Sequence, residues 1–257
     1  MSQPAAVQLR SWARKFSDLK AKHSGLRDSI SSLFFTILTH LLIQAACSRL
    51  VREALDRLKV GNPTERNIRV NELFGQVGLS REQEHLFPHQ FSGGQRQRLG
   101  IARALASHPD LIICDEPVSA LDVAVQAQIL NLLMKLQEEM GLTYLFISHD
   151  LGVVQHMCDE IAVIYAGQIV EHADRISLFK NPLHPYTKGL LATVPSADPK
   201  SRKKPQIEIY GEPPSPVDPP PGCRFASRCP LVEERCRDET PLLRQIKSNQ
   251  KVACHLV

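Results

Sequence analysis

Short apolar runs alternate with helix-spaced apolar positions through the middle of the chain, between about Ser92 and Pro195. Leu111–Cys114 is an apolar run typical of a buried parallel strand, and Thr143–Ile147 is predicted to be the next strand. Between them, apolar residues recur at helical spacing and mark one buried helix face: Ile129, Leu132, Leu133, Leu136 and Met140. Alternation of this kind predicts an α/β fold with a parallel sheet.

Other elements are predicted on either side of these strands. Apolar positions from Thr64 onward indicate a helix that ends at Gly78, because glycine is a frequent helix stop. A second helix is predicted over Gln95–Ala106. Ile161–Tyr165 and Gln168–Glu171 are predicted to form a hairpin that turns at Ala166-Gly167, so this part of the sheet should be antiparallel.

The stretch nearest to a membrane span runs from Leu33 to Cys47 and is interrupted by Thr36, Thr39, His40 and Gln44. It is about five residues shorter than the roughly 20 needed to cross a bilayer. A buried or amphipathic helix is therefore predicted here rather than a membrane span.

Composition changes after Pro195, where prolines become frequent: Pro205, Pro213, Pro214, Pro216, Pro219, Pro220 and Pro221. A long helix or regular sheet is unlikely to accommodate them, so a stiff extended connector is expected. We predict four regions: a helical segment 1–60 without recognisable motifs, an α/β domain 61–195, the connector 196–221 and a small cysteine-bearing module 222–257.

Bulk composition narrows the class of protein. The 257 residues are 43% hydrophobic, enough for a real core, and the net charge is only +4. The basic residues do not form a clustered stripe of the kind that nucleic-acid-binding proteins carry, so no nucleic-acid partner is expected. Seven cysteines occur without a recognisable signal peptide, so reduced thiols and a cytoplasmic location are expected. Cys47, Cys114 and Cys158 lie in apolar or helical contexts typical of core residues.

The first chemical pattern is Ser92-Gly93-Gly94-Gln95 at the start of a predicted helix. Glycines allow close approach of the backbone, the serine adds a hydroxyl, and the helix N-terminus offers unpaired N–H groups and partial positive charge. The pattern is therefore suited to binding phosphate. The plainer alternative is a serine N-cap on an amphipathic helix whose arginines are solvated.

Two further patterns place acidic and imidazole groups after strands. Asp115 and Glu116 end the apolar run at the sheet edge where ligands bind in open α/β folds, although an acidic turn is the plainer alternative. His149 follows the next strand within Ser148-His149-Asp150. By itself a histidine in this position is more often a satisfied surface or core residue.

The stretch Phe91–Leu105 (FSGGQRQRLGIARAL), followed by the acidic strand end and Ser148-His149-Asp150, resembles the ATP-binding subunit of ABC transporters. The resemblance covers roughly Leu73 to the C-terminus. It implies an α/β, partial P-loop NTPase of ABC type, with a parallel sheet and a helical subdomain, followed by a small Cys-containing C-terminal module. It further implies ATP and Mg²⁺ as ligands.

Residue roles also follow from the resemblance. Ser92, Gly93, Gly94 and Gln95 would bind the γ-phosphate of ATP held by the opposite subunit of a dimer. Asp115 would hold Mg²⁺ on the phosphates through water, as the Walker B aspartate. Glu116 would act as general base or polarise the attacking water, and His149 would contact the γ-phosphate. Asp122 ends a segment similar to the D-loop, which lines the dimer interface, and it would contribute to nucleotide binding.

Motifs nearer the C-terminus narrow the resemblance. Asn181–Lys188 (NPLHPYTK), Gly222–Phe225 and Arg228–Pro230 are similar to ATP-binding subunits that drive import of dipeptides, oligopeptides or nickel. Such a subunit implies three partners: a second ABC ATPase subunit, transmembrane permease subunits and, indirectly, an extracytoplasmic solute-binding protein. Its expected location is peripheral, at the cytoplasmic face of the cell membrane.

Four cysteines lie in the last module: Cys223, Cys229, Cys236 and Cys254. Their spacing matches neither the zinc-ribbon pattern nor the bacterial ferredoxin run, although four thiolates can still close a tetrahedral metal site. Since members of the resembled family carry a [4Fe–4S] cluster here, the cluster is the first hypothesis and zinc the second. Disulfides are disfavoured in a reducing cytoplasm.

One expected motif is absent from the sequence, the Gly-x-x-x-x-Gly-Lys-Ser/Thr loop that grips ATP phosphates. Gly25 and Gly61 stand alone, and Gln44 is not assignable to the glutamine loop that couples to the membrane partner. Three explanations are open. The chain is a truncated or frameshifted product, a fragment of a longer protein, or a degenerate subunit that lends only its signature motif, Ser92–Gln95, to a partner. Two function classes follow, an ATPase energising import and a non-catalytic half of a heterodimer. A DNA-repair or chromosome-organising ATPase is disfavoured because sustained heptads are lacking.

Overall fold

The computed structural model describes residues 45–193 and 209–257, except residues 213, 216 and 218. The apolar stretch predicted to be a helix lies mostly outside the described residues, as do Gly25, Gln44 and most of segment 1–60. The described residues up to 150 belong to one compact unit, and those from 151 onward belong to another. Each unit is described separately.

The described residues of the first unit form four helices and two strands. These are α1 (Cys47–Arg57), α2 (Pro63–Gln76), α3 (Gly93–Leu105), β1 (Leu111–Asp115), α4 (Val123–Met140) and β2 (Thr143–Ile147), with short 3₁₀ turns at Arg81–His85 and Pro88–Gln90.

Strands β1 and β2 pair in parallel, with Leu111 opposite Thr143 and Asp115 opposite Ile147. The three middle residues of β1 are buried, as the apolar run predicts for a strand covered on both faces. Helix α4 connects the two strands and buries Ile129, Leu133 and Leu136. The predicted strand–helix–strand arrangement is confirmed.

Helix α2 begins and ends where its local sequence provides caps. The Asn62 side chain accepts hydrogen bonds from the N–H groups of Thr64 and Glu65, while the Glu65 carboxylate accepts from the Asn62 N–H. The chain leaves the helix through Gly78, whose φ of 72° favours glycine. The helix predicted from Thr64 to Gly78 is therefore confirmed to within about two residues.

An arginine connects the end of α2 to helix α3. Nη1 of Arg98 donates a hydrogen bond of 2.6 Å to the carbonyl oxygen of Val77, just beyond the last turn of α2. Carbonyl groups at helix ends need such partners, and a guanidinium also complements the helix dipole. Arg98 therefore holds α3 against α2, where the plainer sequence interpretation expected a solvated charge.

The second unit is built on an antiparallel sheet. Its elements are α5 (Leu151–Met157), β3 (Glu160–Tyr165), β4 (Gln168–Asp174), α6 (Arg175–Lys180), α7 (Pro185–Ala192), a 3₁₀ turn at Ala226–Arg228, α8 (Arg235–Asp238), β5 (Arg244–Lys247) and β6 (Gln250–Val252).

The predicted β3–β4 hairpin is found, and β4 extends three residues further than expected, to Asp174. The strand order is β3-β4-β6-β5, so the last two strands of the chain complete the sheet that the hairpin begins. Segment 222–257, predicted as a module of its own, is thus joined to the hairpin by β-pairing. This pairing is not evident from the sequence, because β5 and β6 are short and mostly polar.

Among the helices of the described part of the chain, none has the length and apolarity required to cross a membrane.

Candidate nucleotide site

Helix α3 begins with a reciprocal capping box. The Ser92 hydroxyl oxygen accepts a hydrogen bond of 3.3 Å from the Gln95 N–H, and Oε1 of Gln95 accepts one of 2.9 Å from the Ser92 N–H. The plainer sequence interpretation, a serine N-cap, is therefore correct as local structure. It does not exclude phosphate binding, because each capping side chain keeps a donor for another partner.

Those remaining donors are at the exposed end of the helix. A serine hydroxyl that accepts a hydrogen bond can still donate its own proton, and a glutamine bound through Oε1 keeps both N–H groups of its amide. In the described part of the chain, the N–H groups of Gly93 and Gly94 have no hydrogen-bond acceptor. Ser92 and Gly93 are exposed. The arrangement suits an anion approaching along the helix axis.

The acidic pair ends strand β1 as predicted. Asp115 is the last residue of the strand, and the Glu116 N–H continues the pairing by donating a 2.9 Å hydrogen bond to the Ile147 carbonyl. Glu116 has a φ of 46°, in the left-handed region that non-glycine residues rarely adopt. Such strain, which costs about 1–3 kcal/mol, concentrates at functional sites.

His149 meets Glu116 across the two strand ends. Its Nδ1 lies 3.0 Å from Oε1 of Glu116, and both side chains are exposed. The parallel pairing of β1 with β2 brings together groups that are 33 positions apart in sequence. An imidazole at this distance can orient the carboxylate and hold it toward a reacting water.

The loop between Glu116 and helix α4 is held by its own hydrogen bonds. The Ser119 hydroxyl donates to the Glu116 carbonyl at 3.2 Å, and Nε2 of Gln126 donates to the carbonyls of Val118 and Leu121, both at 3.0 Å. Asp122, predicted as a nucleotide contact, is the N-cap of α4, with Oδ1 accepting from the Val125 N–H at 2.9 Å. Gln126 is not singled out by the sequence, because nothing in the neighbouring sequence distinguishes a glutamine that holds a loop from one exposed to solvent.

The residues at the ends of β1 and β2 fit Mg²⁺ and a triphosphate. Mg²⁺ prefers carboxylate and water oxygens, and Asp115 supplies a carboxylate at the C-terminal edge of a parallel sheet. The uncapped donors at the start of α3 fit phosphate oxygens. Asp115 would hold the ion, and the signature residues Ser92–Gln95 would contact phosphate.

The hypothesis that the four C-terminal cysteines hold a metal stays a prediction. Within the described residues, no group of three or more His, Cys, Asp or Glu side chains is arranged to hold a metal ion. Cys236 and Cys254 are buried, while Cys223 and Cys229 pack against the apolar cluster around Phe225. Burial raises the pKa of the Cys223, Cys229 and Cys254 thiols, and repulsion between neighbouring thiolates raises it further. As protonated thiols these side chains pack against their surroundings, whereas holding an iron–sulfur cluster or zinc would require them as thiolates.

The motif Asn181–Lys188 is organised around a buried carboxylate in β4. Glu171 is fully buried and accepts hydrogen bonds of 2.9 Å from the N–H groups of Leu183 and His184. His184, one of the histidines that the sequence left unremarkable, is the buried N-cap of α7. Its Nδ1 accepts from the Tyr186 N–H at 3.0 Å. The sequence signal was a Glu at an inward position of the strand and a His immediately before Pro185.

Two family models match the chain. The ABC transporter model matches residues 10–119, which include the signature helix and the Asp115-Glu116 strand end. It also extends over most of segment 1–60, where the sequence shows no recognisable motif. The model of the oligopeptide/dipeptide transporter C-terminal region matches residues 170–236.

Curated relatives extend the match to most of the chain. The oligopeptide transport ATP-binding protein AppF of Bacillus subtilis is 45% identical over 232 residues, which cover 90% of this chain and 70% of AppF. The chain belongs to the ABC transporter ATP-binding protein family. A probable peptide ABC transporter ATP-binding protein, y4tS of Sinorhizobium fredii, is 45% identical over 97% of this ABC protein. The putative oligopeptide transport ATP-binding protein YkfD of Bacillus subtilis is 52% identical over 73% of it.

The match spans 66% of the length of y4tS and 57% of the length of YkfD. Among solved structures, this ABC protein matches the dimeric ATP-binding cassette MJ0796 bound to ADP and Pi, with a TM-score of 0.50 and 29% identity over 58% of this chain and 67% of that one. It also matches CbiO1 of Clostridium perfringens, with a TM-score of 0.50 and 26% identity over 57% of this chain and 58% of that one. These matches confirm the predicted α/β fold of ABC type.

Proposed function

We propose that this chain is the ATP-binding and ATP-hydrolysing subunit of an ABC importer that energises peptide uptake. The observation that carries the proposal is the 3.0 Å contact between Nδ1 of His149 and Oε1 of Glu116, one residue beyond Asp115. Exposed acidic and imidazole groups at the edge of a parallel sheet suit hydrolysis of a bound triphosphate. The oligopeptide names of AppF and YkfD support the choice of peptide as solute.

Each group then has a distinct role. The Glu116 carboxylate accepts a proton from water as the water oxygen attacks the γ-phosphorus and the bond to the β-phosphate oxygen breaks, giving ADP and phosphate. His149 keeps that carboxylate in position and contacts the γ-phosphate. Asp115 holds Mg²⁺, which when bound would neutralise charge on the phosphates.

Partners follow from the same proposal. The donors at Ser92–Gln95 serve ATP held by a second ABC ATPase subunit, and that ATP pairs with them only in a dimer. Permease subunits anchor the dimer at the cytoplasmic face of the membrane, and an extracytoplasmic solute-binding protein delivers the peptide to them. The names of the relatives do not favour nickel, so peptide is the first substrate to test.

A second function is favoured by a separate observation, the free donors at the exposed start of α3. In this role the chain contributes Ser92, Gly93, Gly94 and Gln95 to a partner's ATP and hydrolyses none itself. The two functions need different residues. Hydrolysis at this chain's own site requires Glu116, whereas lending the signature requires only the start of α3.

The deciding experiment is calorimetry with Mg²⁺ and ATP on the purified chain, alone and with the importer's second ATPase subunit, followed by assay of ATP hydrolysis. Hydrolysis that depends on both Glu116 and Ser92, tested with Glu116→Gln and Ser92→Arg, supports the first function. Loss with Ser92→Arg but not with Glu116→Gln supports the second. Absence of binding and hydrolysis in both settings rejects both functions.

A further inference from the structure

The two signature glycines lie against the helix that follows the Glu116 loop. A Cβ atom built on Gly94 would be 2.6 Å from Cγ1 of Val125, and one on Gly93 would be 3.0 Å from Cδ2 of Leu121. Real Cβ atoms essentially never come closer than 3.0 Å to another heavy atom. Any side chain at position 94 therefore requires α3 or α4 to move.

Val125 is poorly able to give way. It lies in the first turn of α4, where its N–H is bound by Asp122, and its neighbour Gln126 clamps two carbonyls of the preceding loop. A β-branched residue in a helix has one strongly preferred χ1 rotamer, so Cγ1 has no low-energy alternative position. The backbone beneath it is fixed by the same hydrogen bonds.

We propose that Val125 is a positioning residue for the signature loop, and that position 94 must be glycine because Val125 occupies the space beside it. The proposal rests on the proposed function, in which the donors of Ser92–Gln95 contact ATP. Through Val125 and Gln126, the start of α3 is packed on the loop that begins at Glu116. The phosphate-binding donors of Ser92–Gln95 and the Glu116 carboxylate of the same subunit are thereby held at a fixed distance from each other.

The competing explanation is that glycine is needed at 94 so that the backbone can approach phosphate closely. The two explanations differ in what a second substitution does. If Val125 imposes the requirement, shortening Val125 makes room for alanine at 94. If phosphate imposes it, shortening Val125 changes nothing.

The first test is thermal unfolding of the full chain, which needs neither ATP nor a partner. Gly94→Ala is expected to lower the melting temperature by roughly 3–10 °C, the scale of overpacking in a chain of this size. Gly94→Ala combined with Val125→Ala should recover most of that loss, measured against Val125→Ala alone. Gly75→Ala is the matched control, because nothing lies within 4 Å of its Cβ position. It should raise the melting temperature by about 1–4 °C through helix propensity.

The second test is ATP hydrolysis by the same variants in the assembled importer. Gly94→Ala should lower the rate by about a hundredfold, as expected when reacting groups are misplaced. The double variant should recover most of that loss, measured against Val125→Ala alone. A double variant as unstable as Gly94→Ala would overturn the proposal. So would a double variant that regains stability but not hydrolysis. If the wild-type chain hydrolyses nothing, the proposed function fails, while the melting temperatures still decide whether Val125 excludes a side chain at 94.

Discussion

The side chains of Glu171 and Gln250, 79 positions apart, meet inside the second unit, where Nε2 of Gln250 donates a 2.8 Å hydrogen bond to Oε1 of Glu171. Both residues are almost completely buried. The same Gln250 nitrogen donates to the Asn181 carbonyl at 3.0 Å. This relationship joins β4, β6 and the Asn181–Lys188 motif, so the last strand of the chain stabilises a motif far upstream.

Replacing Glu171 tests that junction. Glu171→Gln would replace one acceptor oxygen by an N–H₂ group. Because both oxygens of Glu171 accept from N–H donors, the new group would face a donor, and a buried hydrogen bond would be lost. The free energy of unfolding should fall by roughly 2–4 kcal/mol, measured by urea denaturation. Glu160→Gln on the adjacent strand is the control, since its exposed pair with His172 should contribute under about 1 kcal/mol. Equal losses in the two variants would contradict the role of Glu171.

Acid should weaken the second unit through His184. Burial, with a smaller contribution from Lys188, lowers the pKa of His184 from 6.5 to about 4. Because the folded pKa is depressed, the neutral ring contributes stability above pH 6.5 that is lost as the pH falls toward 4. The loss is roughly 2–4 kcal/mol, since the unfolded chain takes up the proton first.

The measurement is unfolding free energy against pH for the wild type and His184→Asn. Asparagine stays neutral over this range, and its side-chain oxygen can accept the Tyr186 N–H as an N-cap. The difference between the two curves isolates His184 from carboxylates that titrate nearby. Parallel curves from pH 7 to pH 4 would show that His184 does not sense acid.

The pairing of Glu116 with His149 predicts a loss of rate without a loss of stability. Glu116→Gln removes the proton acceptor, and ATP hydrolysis in the importer should fall by about 10²–10⁴-fold. Both side chains are exposed, so the unfolding free energy should change by less than about 0.5 kcal/mol. His149→Ala should also slow hydrolysis while preserving binding of ATP. A hydrolysis rate unchanged in both variants would exclude this pair from the chemistry.

Strain at Glu116 gives a separate test on the isolated chain. Its φ of 46° suits asparagine better than glutamate, because asparagine tolerates the left-handed region. Glu116→Asn should therefore raise the unfolding free energy by roughly 0.5–1 kcal/mol. Glu116→Gln, which removes the same charge without relieving the backbone, is the matched comparison and should show no gain.

The C-terminal thiols should behave as buried, protonated groups. Since burial raises the pKa of Cys223, Cys229 and Cys254, their thiolates form at a higher pH in the folded chain than in the unfolded chain. Alkylation followed by mass spectrometry should be slow at pH 7, accelerate above about pH 9, and become fast at any of these pH values in urea. As the unfolded chain ionises first, these thiols should also reduce stability as the pH rises past 9.

Metal analysis of the same preparation completes that test. If the thiols act only in packing, anaerobically purified protein is expected to be colourless and to contain much less than one iron cluster or zinc ion per chain. A brown protein with stoichiometric iron, or one zinc per chain that protects all four thiols, would refute the packing role.

Most elements of the first unit, the β3–β4 hairpin and the order of the motifs follow from short stretches of sequence. Apolar periodicity, the caps at Asn62 and Gly78, and the turn at Ala166-Gly167 each depend on a few neighbouring residues, so they could be predicted locally. The serine-glycine start of α3 and the acidic end of β1 were likewise visible as patterns. Family membership followed from their order and spacing.

Tertiary structure alone decided which distant groups meet. The parallel register of β1 and β2 brought His149 to Glu116, and the return of β6 beside β4 brought Gln250 to Glu171. The surroundings of Cys223 and Cys229 also depend on the tertiary structure, since both side chains pack against the apolar cluster around Phe225. The contact of Gly94 with Val125 depends on how closely helices α3 and α4 approach each other, and that distance cannot be predicted from the spacing of residues along the chain.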